Sequence, residues 1–298
     1  MADWATARLA GVLWGSKVGW VALLLSTGSA WQWFCATRTF SSSMETAVTA
    51  VALSAWPWTW AAGGAGFGRE RKDLRISLGL AGVACLLRPT NALIWGILAV
   101  FALWNNPAKR GVFVAEGAWI GSLLLGLNAV LDRWYYGVWT FPPCTFLVHN
   151  IQNNIAVFYG SSPWHYYLTQ GLPLLTTTYL PLALIALTTS LLTLRPASPS
   201  FQLAATITAV TTTYSLITHK EVRFLFPLLP LIHALAAKSW QRASLSPATK
   251  RILLGLMLAG NVIPAYYAGF VHQRGVLDVL THLRNDQENW SSVGFLMP

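Results

Sequence analysis

Residues 218–231 read "THKEVRFLFPLLPL". Four ionisable side chains, His219, Lys220, Glu221 and Arg223, stand directly against a run of leucine, phenylalanine and proline. An ionised group at the centre of a bilayer costs about 2.5–3.5 kcal/mol, and less near its edge. The stretch therefore reads as the mouth of a membrane helix, with the charges at headgroup depth and an apolar span over 224–240.

Outward from this point the chain keeps the same character. Of its 298 residues 54% are hydrophobic and 10% charged, against about 25% charged in soluble domains. Apolar stretches at 9–34, 44–62, 74–87, 91–104, 112–131, 171–194, 201–218, 224–240 and 251–270 predict about nine hydrophobic helices. Lipid offers the backbone no hydrogen-bond partners, so the expected fold is an all-α polytopic membrane protein, with one transmembrane domain over 1–298. The first run is expected to be a single retained span, because "MADWATARLAG" lacks the basic region and cleavage site of a signal peptide. Runs 74–87 and 91–104 are short, and Arg88-Pro89 divides them, so two short helices meeting at a buried turn is an alternative to two full spans.

The formal net charge is +10, but Lys and Arg are spread over short loops. That pattern orients a membrane protein and argues against a nucleic-acid partner. With a cytoplasmic N-terminus, eleven Lys and Arg between spans fall on the cytoplasmic side and five on the other. The non-cytoplasmic side then receives loops 35–43, 88–90, 132–170 and 219–223. Loop 132–170, with "DRWYYGVWT" and "FYGSSPWHYYLTQG", is expected to be a long luminal amphipathic segment lying along the membrane surface. Residues 271–298 are expected to form a luminal tail carrying the sequon Asn289-Trp290-Ser291. Cys35, Cys85 and Cys144 have no metal or disulfide spacing, and "GGAGFG" at 63–68 does not join a strand to a helix. No metal or other cofactor is indicated.

A His, Lys and Arg cluster away from the cytoplasm suits an anionic phosphate, Arg by a bidentate fork and Lys as a point charge; cations snorkelling at a span end are the alternative. Arg88, in "CLLRPTNALIW", must find a partner, either an acid on another helix or a lipid phosphate. Arg38 and Glu45 flank a Ser/Thr turn in "CATRTFSSSMETAVTA", where helix capping also accounts for the serines. A base for hydroxyl activation would be a carboxylate, and this side offers Glu45, Asp132 and Glu221. Asp132 adjoins Arg133 and also reads as a local ion pair. Tyr159 and His165 lie among the loop aromatics, as ligand contacts or as polar anchors.

Together these stretches resemble glycosyltransferase family 22, the dolichol-phosphate-mannose-dependent mannosyltransferases of glycosylphosphatidylinositol (GPI) and N-glycan assembly. "THKEVRFLFPLLPL" is similar to its HKE-x-RF signature, and "LLRPTNALIW" to its Arg-Pro-Thr segment. "RTFSSSMETAVTAVAL" resembles its Arg-Thr-x-(Ser/Thr)-Asn-x-x-Glu-Thr stretch, with Ser42 or Ser43 where asparagine is common. The segment from "LDRWYYGVWT" to "GLPLL" looks most like the branch that adds the third GPI mannose. The resemblance implies a GT-C fold in the endoplasmic reticulum membrane, with a lipid-linked donor and a GPI glycolipid acceptor as partners. It implies donor or substrate contacts from Arg38, Arg88, Arg133, Tyr159, His165, His219, Lys220, Glu221 and Arg223. The family's acidic motif has no counterpart ahead of Arg38, so full activity is not expected of these 298 residues, and Glu45 and Asp132 stand as fallback bases. An N-glycan acceptor, a transporter and a non-catalytic membrane protein remain as alternatives.

Overall fold

The computed structural model describes residues 1–36, 38, 40–64, 69–152, 155–272, 274–285 and 294. The sequon at 289–291 and most of the expected tail lie outside them. Among the described residues there are fifteen α-helices and no strand. They are α1 (Ala2–Trp14), α2 (Ser16–Thr27), α3 (Ala30–Ala36), α4 (Ser41–Ser54), α5 (Trp58–Ala61), α6 (Arg69–Leu87), α7 (Ala92–Asn105) and α8 (Arg110–Tyr136). There follow α9 (Pro142–Leu147), α10 (Leu172–Thr176), α11 (Leu180–Leu191), α12 (Pro199–Leu216), α13 (Leu229–Arg242), α14 (Pro247–Tyr266) and α15 (Gly275–Asn285).

Four helical runs are long and apolar enough to cross a membrane: Pro107–Tyr136, Tyr167–Leu191, Val222–Arg242 and Pro247–Val271. The other expected spans fall short for local reasons. Helices α4 and α7 have 14 residues each, below the roughly 20 that cover a hydrocarbon core, and α6 opens on Arg-Glu-Arg-Lys-Asp. The run that begins in the opening stretch is the axis of the bundle. Residues 229–237 are all buried, and α13 packs on α1, α2, α11 and α12.

The expected single span over 9–34 is overturned. Gly15, at φ 92°, ends α1 and reverses the chain, so α1 and α2 lie against each other as an antiparallel hairpin. A Cβ on Gly19 would sit 2.8 Å from the Ala7 carbonyl oxygen, so only glycine permits this approach. Lys17 thereby stands beside the turn, at the end of the bundle where Lys238 lies over the Trp14 ring. The same end is latched by Asn105 and Gln202, whose side-chain amides both donate to the carbonyls of Ala61 and Pro196.

Two further apolar runs bend at one depth. The path from α2 to α3 breaks at Gly28-Ser29, and that from α10 to α11 breaks at Thr177, which adopts φ 48°. Broken helices leave backbone groups that lipid cannot satisfy. Asn261 on α14 serves both breaks, donating to the Gly28 carbonyl at 2.8 Å and accepting from the Thr177 and Thr178 hydroxyls at 2.6 and 2.8 Å.

At the opposite end from Lys17 the bundle gathers the loops with unusual chemistry. Arg88 is extended (φ −147°), Pro89–Asn91 makes one 3-10 turn, and α6 and α7 meet there as an elbow. Helix α8 continues through Tyr136 rather than stopping at 131. The remainder of loop 132–170 is built of α9, a π turn Val148–Gln152, a 3-10 turn Ile155–Tyr159 and the π turn Tyr167–Gly171 that leads into α10. Trp134, Tyr135, Trp139, Phe158 and Trp164 project from it, exposed.

Candidate functional site

The 218–231 stretch divides its charges between two tasks. Lys220 is buried, and its ammonium donates to the carbonyls of Ser162 (2.8 Å) and Ile217. The Ser162 amide donates in turn to Thr218 at 3.0 Å. His219 places Nδ1 3.1 Å from the Gly160 carbonyl and Nε2 3.1 Å from Glu221. His219 and Lys220 thus clamp segment 160–162 onto the bundle. Burial pushes the Lys220 ammonium below its ordinary value.

Glu221 and Arg223 face outward. Arg223 Nη2 donates to Glu221 at 2.9 Å, and its Nε is a second contact to the same carboxylate. Burial raises the Glu221 carboxyl, but the Arg223 and His219 hydrogen bonds outweigh it and hold the group below its ordinary value. The motif keeps this geometry because Phe226 to Ala237, immediately after it, is buried in the bundle axis.

An apolar groove of about 570 Å³ ends on this cluster. Trp31 and Phe34 from α3, Leu174 and Thr177 from the α10 region, and Pro264 and Tyr267 from α14 line its body; Lys220, Glu221 and Arg223 line its head. Leu174 and Tyr267, on its rim, are more than half exposed and face the surroundings of the bundle. Arg38 lies at the same end, 4.3 Å over the Phe34 ring and donating to the Ala268 carbonyl at 3.3 Å. Burial, with the Glu221 charge nearby, raises the pKa of Tyr166, another lining residue.

A second cavity, of about 520 Å³, lies on the far side of Arg223 and is lined by Ser41, Arg88, Asn128, Asp132, Tyr136 and Phe146 among others. Arg88 has found its acid: Nε is 3.3 Å from Glu45 on α4, and its guanidinium lies 5.2 Å over the Phe224 ring. The other Glu45 oxygen accepts from Asn91 at 2.8 Å, and Asn91 is held by the Trp95 indole at 2.7 Å. Glu45 is buried and doubly engaged, which does not suit a proton acceptor open to substrate. Asp132 is not paired with Arg133. Its Oδ2 accepts from Asn128 at 2.7 Å, while Arg133 turns to the Trp139 ring at 5.9 Å.

The structure therefore brings Lys220, Glu221 and Arg223 to one groove, with His219 bracing them and Arg38 against the lining residues Phe34 and Ala268, and Arg88 and Asp132 to the neighbouring cavity. Arg133 and His165 do not join them: His165 is exposed and contacts Thr169 and Trp164. The Tyr159 side chain lies outside the described residues. Sequence reasoning passed over Asn91, Asn128 and Asn261, although an amide inside an apolar run was itself a signal.

Residues 1–298 match the Alg9-like mannosyltransferase family throughout. The chain belongs to that family. It is 40% identical over 325 residues to GPI mannosyltransferase 3 of Gibberella zeae, covering 97% of this chain and 53% of the relative. The corresponding protein of Aspergillus fumigatus is 39% identical over 324 residues, covering 97% and 42%. GPI alpha-1,2-mannosyltransferase 3 of Mus musculus is 33% identical over 277 residues, covering 89% and 47%. The chain spans about half the length of the curated relatives it matches. No solved structure matches it.

Proposed function

We propose that the chain forms the membrane core of an α1,2-mannosyltransferase of the endoplasmic reticulum, which moves mannose from dolichol-phosphate-mannose to a GPI precursor as its third mannose. The carrying observation is the groove whose apolar body ends on Lys220 and Arg223. A polyprenyl phosphate has that division, a hydrocarbon tail and one anionic head at headgroup depth. The tail would lie along Trp31, Phe34 and Tyr267, and the head against Arg223, whose planar fork suits phosphate oxygens. The relatives' names favour the GPI acceptor over an N-glycan precursor.

In the transfer an acceptor hydroxyl oxygen bonds to mannose C1, the C1–O bond to phosphate breaks, and dolichyl phosphate leaves with the electron pair. The hydroxyl proton passes to a carboxylate. Arg223 would meet the charge that grows on the leaving phosphate, and a fixed donor aimed at developing charge is a strong source of rate. The test is Arg223→Ala in the intact protein, with initial rates against donor concentration. The expected result is a KM for dolichol-phosphate-mannose raised about tenfold or more, the loss of one charge-assisted contact. An unchanged donor dependence would remove Arg223 from the donor site.

A further inference from the structure

We propose that the cavity between α4, the α6–α7 elbow and α8 is a subsite for a neutral hexopyranoside of the acceptor glycan, with Asp132 as its hydroxyl acceptor. The proposal rests on the mannosyltransferase reading and deepens it. Both cavities share Arg223, yet their electrostatics differ. In the polar cavity each guanidinium already has a carboxylate, Arg88 with Glu45 and Arg223 with Glu221. Asp132 is then the one lining charge without a counterion among the described residues. A site with that balance repels an added anion and suits an uncharged polyol, whereas the groove, with Lys220 and Arg223 against Glu221, suits a phosphate.

The side chains also match a sugar in kind. Asn128 fixes Asp132 Oδ2 and leaves Oδ1 with no protein partner among the described residues, so one oxygen is oriented and the other free to accept from a hydroxyl. Ser41 and Tyr136 add hydroxyls, and Pro89 and Phe146 supply flat apolar surface for the C–H face of a ring. The volume, about 520 Å³, falls within the usual range for small-molecule sites, about 300–1,000 Å³. A sugar there lies across Arg223 from the donor head, the relation that transfer between two bound partners requires.

The intact protein, purified in detergent, would be titrated with methyl α-D-mannopyranoside and, separately, with inorganic phosphate, following ligand contacts by saturation-transfer NMR. Two variants are compared: Asp132→Asn, which removes the charge, and Ser41→Phe, which narrows the cavity from its exposed rim and leaves the carboxylate in place. Both should weaken mannoside binding about tenfold and raise the acceptor KM, with the donor KM within about twofold of the parent value. Folding is checked by thermal unfolding, and if Asp132→Asn does not fold, Ser41→Phe carries the test. Wild-type mannoside binding in either folded variant, or phosphate binding that depends on Asp132, overturns the subsite. Asp132-dependent mannoside binding in a protein that transfers no mannose would uphold the subsite and refute the transfer reading. Transfer with an unaltered acceptor KM in both variants would do the reverse.

Discussion

Lys220 turns its ammonium to two backbone carbonyls while Arg223, three residues on, turns its guanidinium outward. As a sequence the cluster reads as one cationic patch. What separates the roles is segment 160–162, whose Gly160 and Ser162 carbonyls lie 59 and 58 residues away in the chain. A backbone oxygen leaves no mark in a sequence, so the clamp was illegible there. The Arg88–Glu45 pair was partly legible: a cation stranded between apolar runs demanded an acid, and few were on offer, but which one depended on how α4 meets the elbow. Glu221 carries a pH prediction. Its carboxyl is held below the ordinary value, so the contribution of its contacts is fully present above the unfolded carboxylate pKa, about 4.3, and is lost as pH falls through the lower folded value. Donor affinity should be level from about pH 6 to 8, and acid loss of thermal stability below about pH 4 should be smaller in Glu221→Gln than in the parent. Identical acid profiles for the two proteins would show that Glu221 is not held as described.

At the scale of elements, the hairpin of α1 and α2 was the main surprise. Apolar residues continue through Gly15, and composition cannot distinguish a helix that carries on from one that turns back. One residue did carry the information: Lys17 is a charge inside the apparent span 9–34, and the turn brings it to a bundle end that already holds Lys238. Close contact depends on Gly19, where any side chain meets the Ala7 carbonyl. Gly19→Leu should pry the two helices apart and cost about 1–3 kcal/mol, the usual penalty for overpacking. Unfolding in lipid nanodiscs would register it, and an unaltered midpoint would mean that the hairpin is not packed this way. The 132–170 region divides differently. Its aromatic and polar alternation reads as a surface segment; Trp134, Tyr135, Trp139, Phe158 and Trp164 are exposed, whereas Tyr167 is fully buried. That α8 runs on to Tyr136, carrying Asp132 on a regular helix beside Asn128, did not follow from composition, because the charges at 132–133 looked like an end.

For the molecule as a whole, the class of fold was legible from hydrocarbon content alone: low charge and long apolar runs leave a helical membrane bundle as the available solution. Depth was not legible, since a sequence does not say that breaks at Gly28 and Thr177 come to the same level. Asn261 makes that coincidence stable. Asn261→Leu would leave the Gly28 carbonyl and two threonine hydroxyls without this partner, at about 1–3 kcal/mol for each group left unsatisfied. The substitution should lower the unfolding midpoint of the protein in bilayers and, through the groove, weaken donor use; a stable variant with parental donor KM would exclude the amide as a structural hub.

Asn261 lies where α3, the α10–α11 break and the last turns of α14 leave its side chain, and these same three segments form the body of the groove. One amide is thus a common hinge pin for three panels of a slot. Displacing one panel would tug on the other two, so any widening of the slot would be concerted rather than confined to one wall.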